Sequence, residues 1–264
     1  MVFWKKYPLV RGYFHYWLHA VNEHSLHAPF IYRLYCDVIR ADLNNSAYSS
    51  IEAVRQDLLQ SKNFILIEDI GAKSLTSSQS RRSIRAIARH SLSSPKFSRL
   101  LYRLLAYIEA DYVVELGTSL GINTLYLSAA RPSAQVFTLE GAPALADRAE
   151  DVFSQQNRTN IKLVRGNIDE TLPPLLQQLP RVDLAYLDAN HRYEPTVCYF
   201  DQITKKAHSN STVVIDDIYW SAGMQQAWQA IRKHPAVTLS IDLFDAGLVF
   251  FRPLPVRQHY TLMF

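Results

Sequence analysis

Two kinds of residue in this 264-residue chain stand where chemistry could be done. The first are polar groups that follow short apolar runs: Glu115, Glu140, Asn167, Asp188 and the pair Asp216-Asp217. Carboxylates so placed can accept hydrogen bonds from ligand hydroxyls, pair with a cationic group or ligate a hard cation. The second is His191, three residues after Asp188, whose ordinary pKa near about 6.5 suits it to take a proton at neutral pH. Together they describe a site that holds a polar ligand and removes a proton from something beside it.

The glycine-rich turn Gly117-Thr118-Ser119-Leu120-Gly121 narrows the ligand. Glycines let backbone approach a ligand closely, and a helix that starts there points free N–H groups at it. A dinucleotide fold would read G-x-G-x-x-G, whereas this turn reads G-x-x-x-G, with Glu115 two residues before its first glycine. A carboxylate there suits a ligand with a cationic end, and S-adenosylmethionine, with its ammonium and sulfonium groups, is such a ligand. Glu140 follows Gly117 by 23 residues, where a carboxylate can accept both hydroxyls of an adenosine ribose, a device that NAD also uses. Gly166-Asn167-Ile168 would lie against the adenine, with Ile168 on its face. The expected cofactor set is Glu115, Gly117, Thr118, Ser119, Gly121, Glu140, Gly141, Asn167, Ile168 and Asp188. Asp188 and His191 are the expected catalytic pair. Asp188, Asp216 and Asp217 could alternatively hold Mg²⁺ or another divalent cation.

These residues need a scaffold, and the hydrophobic pattern supplies one. Apolar runs at 112–116, 134–139, 161–164, 182–187 and 212–215 read as buried strands, each followed by a segment of helical periodicity. A closing pair of strands at 237–243 and 248–251 completes the pattern. Such alternation predicts an α/β, Rossmann-like, doubly wound sheet with an antiparallel last strand. Ahead of it, 1–43 is aromatic-rich on helical repeats, 44–50 reads as a loop, 51–60 as a helix and 64–67 as a short strand. Asp69–Ser74 reads as a mobile loop that closes over the cofactor. Two helices follow from Arg81 to Ala110, with Ser94 capping the second and Pro95 at its first position. The expected division is a helical extension over 1–80 and a core over 81–264.

Composition sets limits. No apolar run is long enough for a membrane span, and no secretory signal is visible at the N-terminus. Cys36 and Cys198 form no metal or redox motif, which predicts a cytoplasmic setting. The net charge of +4 hides an asymmetry: residues 1–110 carry 15 Lys/Arg against 8 Asp/Glu, a balance of +7, while the remainder carries 13 against 16, a balance of −3. The basic half is compatible with an anionic substrate or surface. The charges are spread rather than bunched, so nucleic acid is not the expected partner. A small-molecule acceptor is, and assembly as a homodimer stays open.

The runs ELGTSLG, TLEG, GNID, YLDANHRY and VIDDIYW resemble the class I S-adenosylmethionine-dependent methyltransferases, in particular the catechol- and caffeoyl-CoA-like O-methyltransferase branch. HSLHAPF and EDIGAKS further resemble HGVHSPF and DFGAGS of a bacterial group typical of Bacteroidetes. The resemblance implies a seven-stranded sheet with a reversed last strand, a core over 82–252, and methyl transfer to an oxygen nucleophile. It places Glu115, Gly117 and Ser119 at the methionine end, Glu140 at the ribose, and Asn167 and Ile168 at the adenine. The metal-dependent branch has an Asp, an Asp-Asn pair and a lysine base where this chain has Asp188, Asp216-Asp217 and His191, so routes with and without metal both remain. The rival readings are an NAD(P)-dependent oxidoreductase and a non-catalytic S-adenosylmethionine-binding scaffold.

Overall fold

The computed structural model describes residues 2–41, 45–68 and 79–264, and the expected lid at Asp69–Ser74 lies outside them. The chain divides into two compact units, 42–177 and a second made of 1–41 with 178–264.

In the unit 42–177, helix α3 (Ser46–Gln60) begins earlier than the polar sequence suggests because the Asn45 side chain accepts from Ala47 N–H. Strands β1 (Phe64–Glu68) and β2 (Gln79–Ser83) form an antiparallel pair. Arg81–Ser83 were expected to open a helix and instead complete this ladder, after which Ser83 caps α4 (Ile84–Ser91). Helix α5 (Pro95–Ile108) starts as the sequence predicts, the Ser94 hydroxyl accepting from Phe97 N–H with Pro95 in the first turn. Strand β3 (Tyr112–Leu116), helix α6 (Ile122–Ala130), strand β4 (Gln135–Glu140), helix α7 (Pro143–Gln155) and strand β5 (Ile161–Arg165) alternate, and β4 pairs in parallel with both β3 and β5. Helix α8 (Ile168–Gln178) begins four residues before its expected start at 172 because Asn167 Oδ1 accepts from Asp169 N–H. Tyr48, Ile51, Leu58, Leu125, Tyr126 and Phe153 pack in one buried cluster behind α6.

The other unit opens with α1 (Val2–His19) and α2 (Pro29–Leu34), the latter continued by a π turn over Tyr35–Ile39. Pro29 fixes the turn into α2, with Ala28 held extended at ψ 121°. Strands β6 (Leu184–Leu187) and β7 (Thr212–Asp216), separated by α9 (Tyr193–Thr204), run parallel. After α10 (Ala222–Lys233), strands β8 (Leu239–Asp242) and β9 (Ala246–Phe250) form the expected hairpin, and β9 is antiparallel to β7. One strand was not expected: β10 (Gln258–Thr261) pairs in parallel with β8. Its residues, Gln-His-Tyr-Thr, are mostly polar and form too short a run to register in the hydrophobic pattern. The sheet therefore has eight strands, and the antiparallel one, β9, is next to last in the chain.

Burial follows from these pairings. β3, β6 and β7 are apolar along almost their whole length and are covered on both faces. In the final hairpin the indole of Trp228 lies flat on Gly247, where a Cβ would sit 2.5 Å from the ring. Gly247→Ala should overpack that contact and lower unfolding free energy by about 1–3 kcal/mol, read from urea denaturation. Trp228→Phe in the same background should recover part of the loss, and an unchanged midpoint in Gly247→Ala would show that the sheet gives way without strain.

Candidate functional site

The glycine-rich turn of the 42–177 unit is shaped as a ligand cradle. Gly117 and Gly121 take φ of 96° and 79°, and Ser119 takes 49°, so three of five turn residues are in the left-handed region that favours glycine. At Gly121 a Cβ would also meet the Phe153 ring at 2.6 Å. Thr118 N–H donates to Leu139 O at 3.2 Å and Gly121 N–H to Thr118 O at 2.9 Å, which closes the turn on the end of β4. Gly121 stands at the N-cap of α6 and has no side chain to cap it, which leaves the first N–H groups of the helix for a ligand.

Glu140 braces this turn from the end of β4. Its Oε2 accepts from Ser119 N–H at 2.8 Å and its Oε1 from Ala142 N–H at 2.9 Å. Each carboxylate oxygen keeps a further lone pair, so the group can accept two ligand hydroxyls while it holds the backbone. Burial pushes its pKa up, and the N–H bonds from Ala142, Ser119 and Gly141 oppose that shift. Ser119 also shares a hydrogen bond with Ser91 of α4 at 3.0 Å, a partner that no sequence spacing signalled.

Glu115 sits deeper than the sequence suggests. Its carboxyl is fully buried, and Oε2 accepts from Thr124 and Thr138 at 2.5 and 2.6 Å. Oε1 is buried with no hydrogen-bond partner among the described residues. Desolvation raises the pKa to about 7, against the two threonine hydrogen bonds. Of the remaining expected cofactor residues, Asn167 is exposed with its side chain spent on capping α8, while Ile168 is buried. Gly141 lies within van der Waals reach of Gly166 O, at 3.7 Å from where its Cβ would be.

The other unit carries the acid and histidine cluster. Asp188 and Asp216 follow β6 and end β7, two strands whose parallel pairing sets them side by side. The Tyr186 hydroxyl lies within hydrogen-bonding distance of both, 3.0 Å from Asp188 Oδ2 and 2.5 Å from Asp216 Oδ2. Sequence reasoning passed over Tyr186, yet the signal was there: it precedes Asp188 by two, the spacing that puts strand residues on one face. His191 Nε2 is 3.5 Å from Asp188 Oδ1, and its Nδ1 is 3.7 Å from Asp217 Oδ2. Asn190, His191 and Asp217 all have positive φ, at 64°, 36° and 54°. Strain of about 1–3 kcal/mol each accompanies such conformations and gathers at functional sites.

The electrostatics divide the cluster. Burial pushes Asp216 up to about 7, and the neighbouring Asp217 charge adds to the shift. Burial also raises Asp217, while His191 opposes it. Desolvation lowers the His191 pKa and Asp217 partly restores it. The imidazole is therefore mainly neutral at pH 7 and able to accept a proton. Among the described residues, no group of three or more His, Cys, Asp or Glu side chains is arranged to hold a metal ion.

The donor set of the cradle fits S-adenosylmethionine: an uncapped helix start, a backbone turn closed by glycines, and a carboxylate with lone pairs to spare. Comparison with known proteins points the same way. Residues 114–218 match a family model described as a methyltransferase domain. A catechol O-methyltransferase of Niastella koreensis is 25% identical over 179 residues, 67% of this chain and 76% of that protein. The solved O-methyltransferase TomG of Streptomyces achromogenes, involved in tomaymycin synthesis and in complex with S-adenosylmethionine, superposes with a TM-score of 0.57 at 16% identity, covering 80% of this chain and 92% of that one. A Bacillus cereus O-methyltransferase bound to S-adenosylhomocysteine gives 0.54 at 16% identity over the same shares. Residues 114–218 thus match a methyltransferase domain model, and the chain shares its fold with solved O-methyltransferases.

Proposed function

We propose that this chain is an O-methyltransferase acting on a small-molecule hydroxyl, with residues 81–264 as the catalytic core after an extension over 1–80, in a cytoplasmic setting. The observation that carries the reading is His191, desolvated and set between two carboxylates yet too far from either for a direct hydrogen bond. When bound, S-adenosylmethionine supplies an electrophilic methyl carbon. Glu140 would accept the ribose hydroxyls, the turn from Gly117 to Gly121 would line the methionine end, and Gly141, Asn167 and Ile168 would border the adenine.

The chain's own task is then to strip a proton from the acceptor as its oxygen becomes a nucleophile. His191 would take that proton at Nε2, and Asp217, on the Nδ1 side, would stabilise the imidazolium that results. Asp188 would orient the acceptor hydroxyl beside Nε2. In the alternative, Asp188, Asp216 and Asp217 hold a divalent cation that acidifies a bound hydroxyl. The placement of the Tyr186 hydroxyl on Asp188 and Asp216 favours the metal-free route, because those oxygens already have a hydrogen-bonding partner.

Three measurements follow from this assignment. Calorimetry should show S-adenosylmethionine or S-adenosylhomocysteine binding to the wild type and at least about tenfold weaker binding to Glu140→Ala, since a charged acceptor contributes roughly 1.5–3 kcal/mol per hydrogen bond. Binding of NAD in their place would reject the cofactor assignment.

Against a panel of phenols and other hydroxyl acceptors, turnover should survive EDTA and fall by about 10²–10⁴ in His191→Ala. Loss in EDTA with recovery on adding Mg²⁺ would establish the cation route instead. Full activity in His191→Ala would take the histidine out of the mechanism, and cofactor binding without turnover on any acceptor would support a scaffold.

The pH profile gives an independent readout. Because the active form of His191 is neutral and burial lowers its pKa, the acid limb of kcat/KM should lie below the ordinary histidine value of about 6.5. Asp217 props that pKa up, so Asp217→Asn should move the limb to still lower pH. A limb that stays in place would separate Asp217 from the base.

A further inference from the structure

Helix α1 has two unlike faces. Gly12 lies so close to Tyr219 that a Cβ would come within 2.3 Å of its ring. One turn later Tyr16 is buried, its hydroxyl donating to Leu262 O at 2.8 Å. Tyr13 and Tyr16 rest on Phe244 with ring centroids 5.2 and 5.5 Å away. This face anchors the helix.

The opposite face is apolar and open. Val10, Phe14, Trp17 and Leu18, spaced i, i+4, i+7 and i+8, are 64%, 61%, 62% and 56% exposed. Phe14 and Trp17 stack at 6.4 Å, forming a continuous apolar ridge. Contiguous exposed apolar surface of this kind marks a binding face. The same helix carries Lys5, Lys6 and Arg11 and no Asp or Glu.

The charge decides the occupant. A second copy would bring like charges together, and four side chains fall short of the roughly 800 Å² per partner in a standard interface. A nucleic acid would use the cations but gain little from Val10 and Leu18. An anionic bilayer uses both: aromatic and aliphatic side chains enter the headgroup boundary while lysine and arginine meet lipid phosphates. We propose that α1 is a peripheral docking helix for an anionic lipid surface, with Val10, Phe14, Trp17 and Leu18 as the inserting ridge of a helix whose sequence is cationic and carries no acid. It lies on the surface and does not cross it, since no helix among the described residues is long and apolar enough to span a membrane.

The full chain should be sedimented with phosphatidylcholine vesicles, with and without about one part in three of phosphatidylglycerol, at low and high salt. Binding is expected on the anionic vesicles and should weaken with salt. Phe14→Ser/Trp17→Ser should reduce it at least about tenfold, and Lys6→Glu/Arg11→Glu should reduce it on anionic vesicles alone. Phe14→Ser/Trp17→Ser should keep the wild-type thermal midpoint, because both side chains are exposed on the face away from Gly12 and Tyr16. Absence of vesicle binding, or equal binding to both lipid mixtures, overturns the proposal. A dimer lost in Phe14→Ser/Trp17→Ser by light scattering, without vesicle binding, would assign the ridge to a second copy. Binding of an RNA oligomer in place of vesicles would assign it to nucleic acid.

Discussion

A carboxyl group taken wholly out of water must be held by hydrogen bonds, and Glu115 imposes that requirement where β3 meets the glycine-rich turn. Its Oε2 receives hydroxyls from Thr124 in α6 and Thr138 in β4, while Thr138 lies 2.6 Å from Thr118 in the turn. A threonine hydroxyl has one proton. Because Thr138 donates to Glu115 Oε2, it must accept from Thr118, and the direction of the chain is fixed. One buried carboxyl thus ties together β3, β4, the turn and the first helix after it. Its raised pKa, about 7, reflects how incompletely two hydroxyls replace water.

That dependence explains the bracing from above. With Thr118 drawn inward and Gly117 and Gly121 at positive φ, the turn presents Ser119 N–H to Glu140 and leaves the start of α6 uncapped. Glu115 fixes the turn from beneath and Glu140 from its ligand side. The two carboxylates share a motif but differ in circumstance: one is sealed, the other half-exposed with lone pairs to offer. Spacing alone could not separate those roles, since both are acids at strand ends.

The legible parts of this molecule were those governed by local pattern. The strands from β3 to β9 announce themselves through apolar runs, and Ser94-Pro95 marks the start of α5 by capping chemistry that acts within four residues. Strand-end acids could be grouped within each unit because parallel pairing aligns strand ends. What escaped was non-local or too short. β10 is four residues long and owes its existence to the exposed edge of β8, and β2 was hidden because Arg81–Ser83 look helical until β1 requires a partner. The depth of Glu115 and the contact between Ser91 and Ser119 depend on tertiary packing that no spacing encodes.

Proton counting around Tyr186 bears on the choice between the two chemical routes. The phenol has one proton and two carboxylates within reach, Asp188 at 3.0 Å and Asp216 at 2.5 Å. It can donate to one of them fully, and the other contact becomes a hydrogen bond only if that carboxyl carries a proton of its own. Asp216, pushed up to about 7 by burial and by Asp217, is the group suited to carry it. Near neutrality Asp216 is therefore poised to gain or lose that proton, and the Tyr186 hydroxyl, donating to its Oδ2, opposes the upward shift. A cation bound at these oxygens would have to expel the Asp216 proton and turn the phenol away, so protonation and metal binding compete for the same atoms. His191 escapes that competition, because its loss of water favours the neutral imidazole whether or not Asp216 is protonated. The base and the carboxylate pair are therefore separable devices within one cluster.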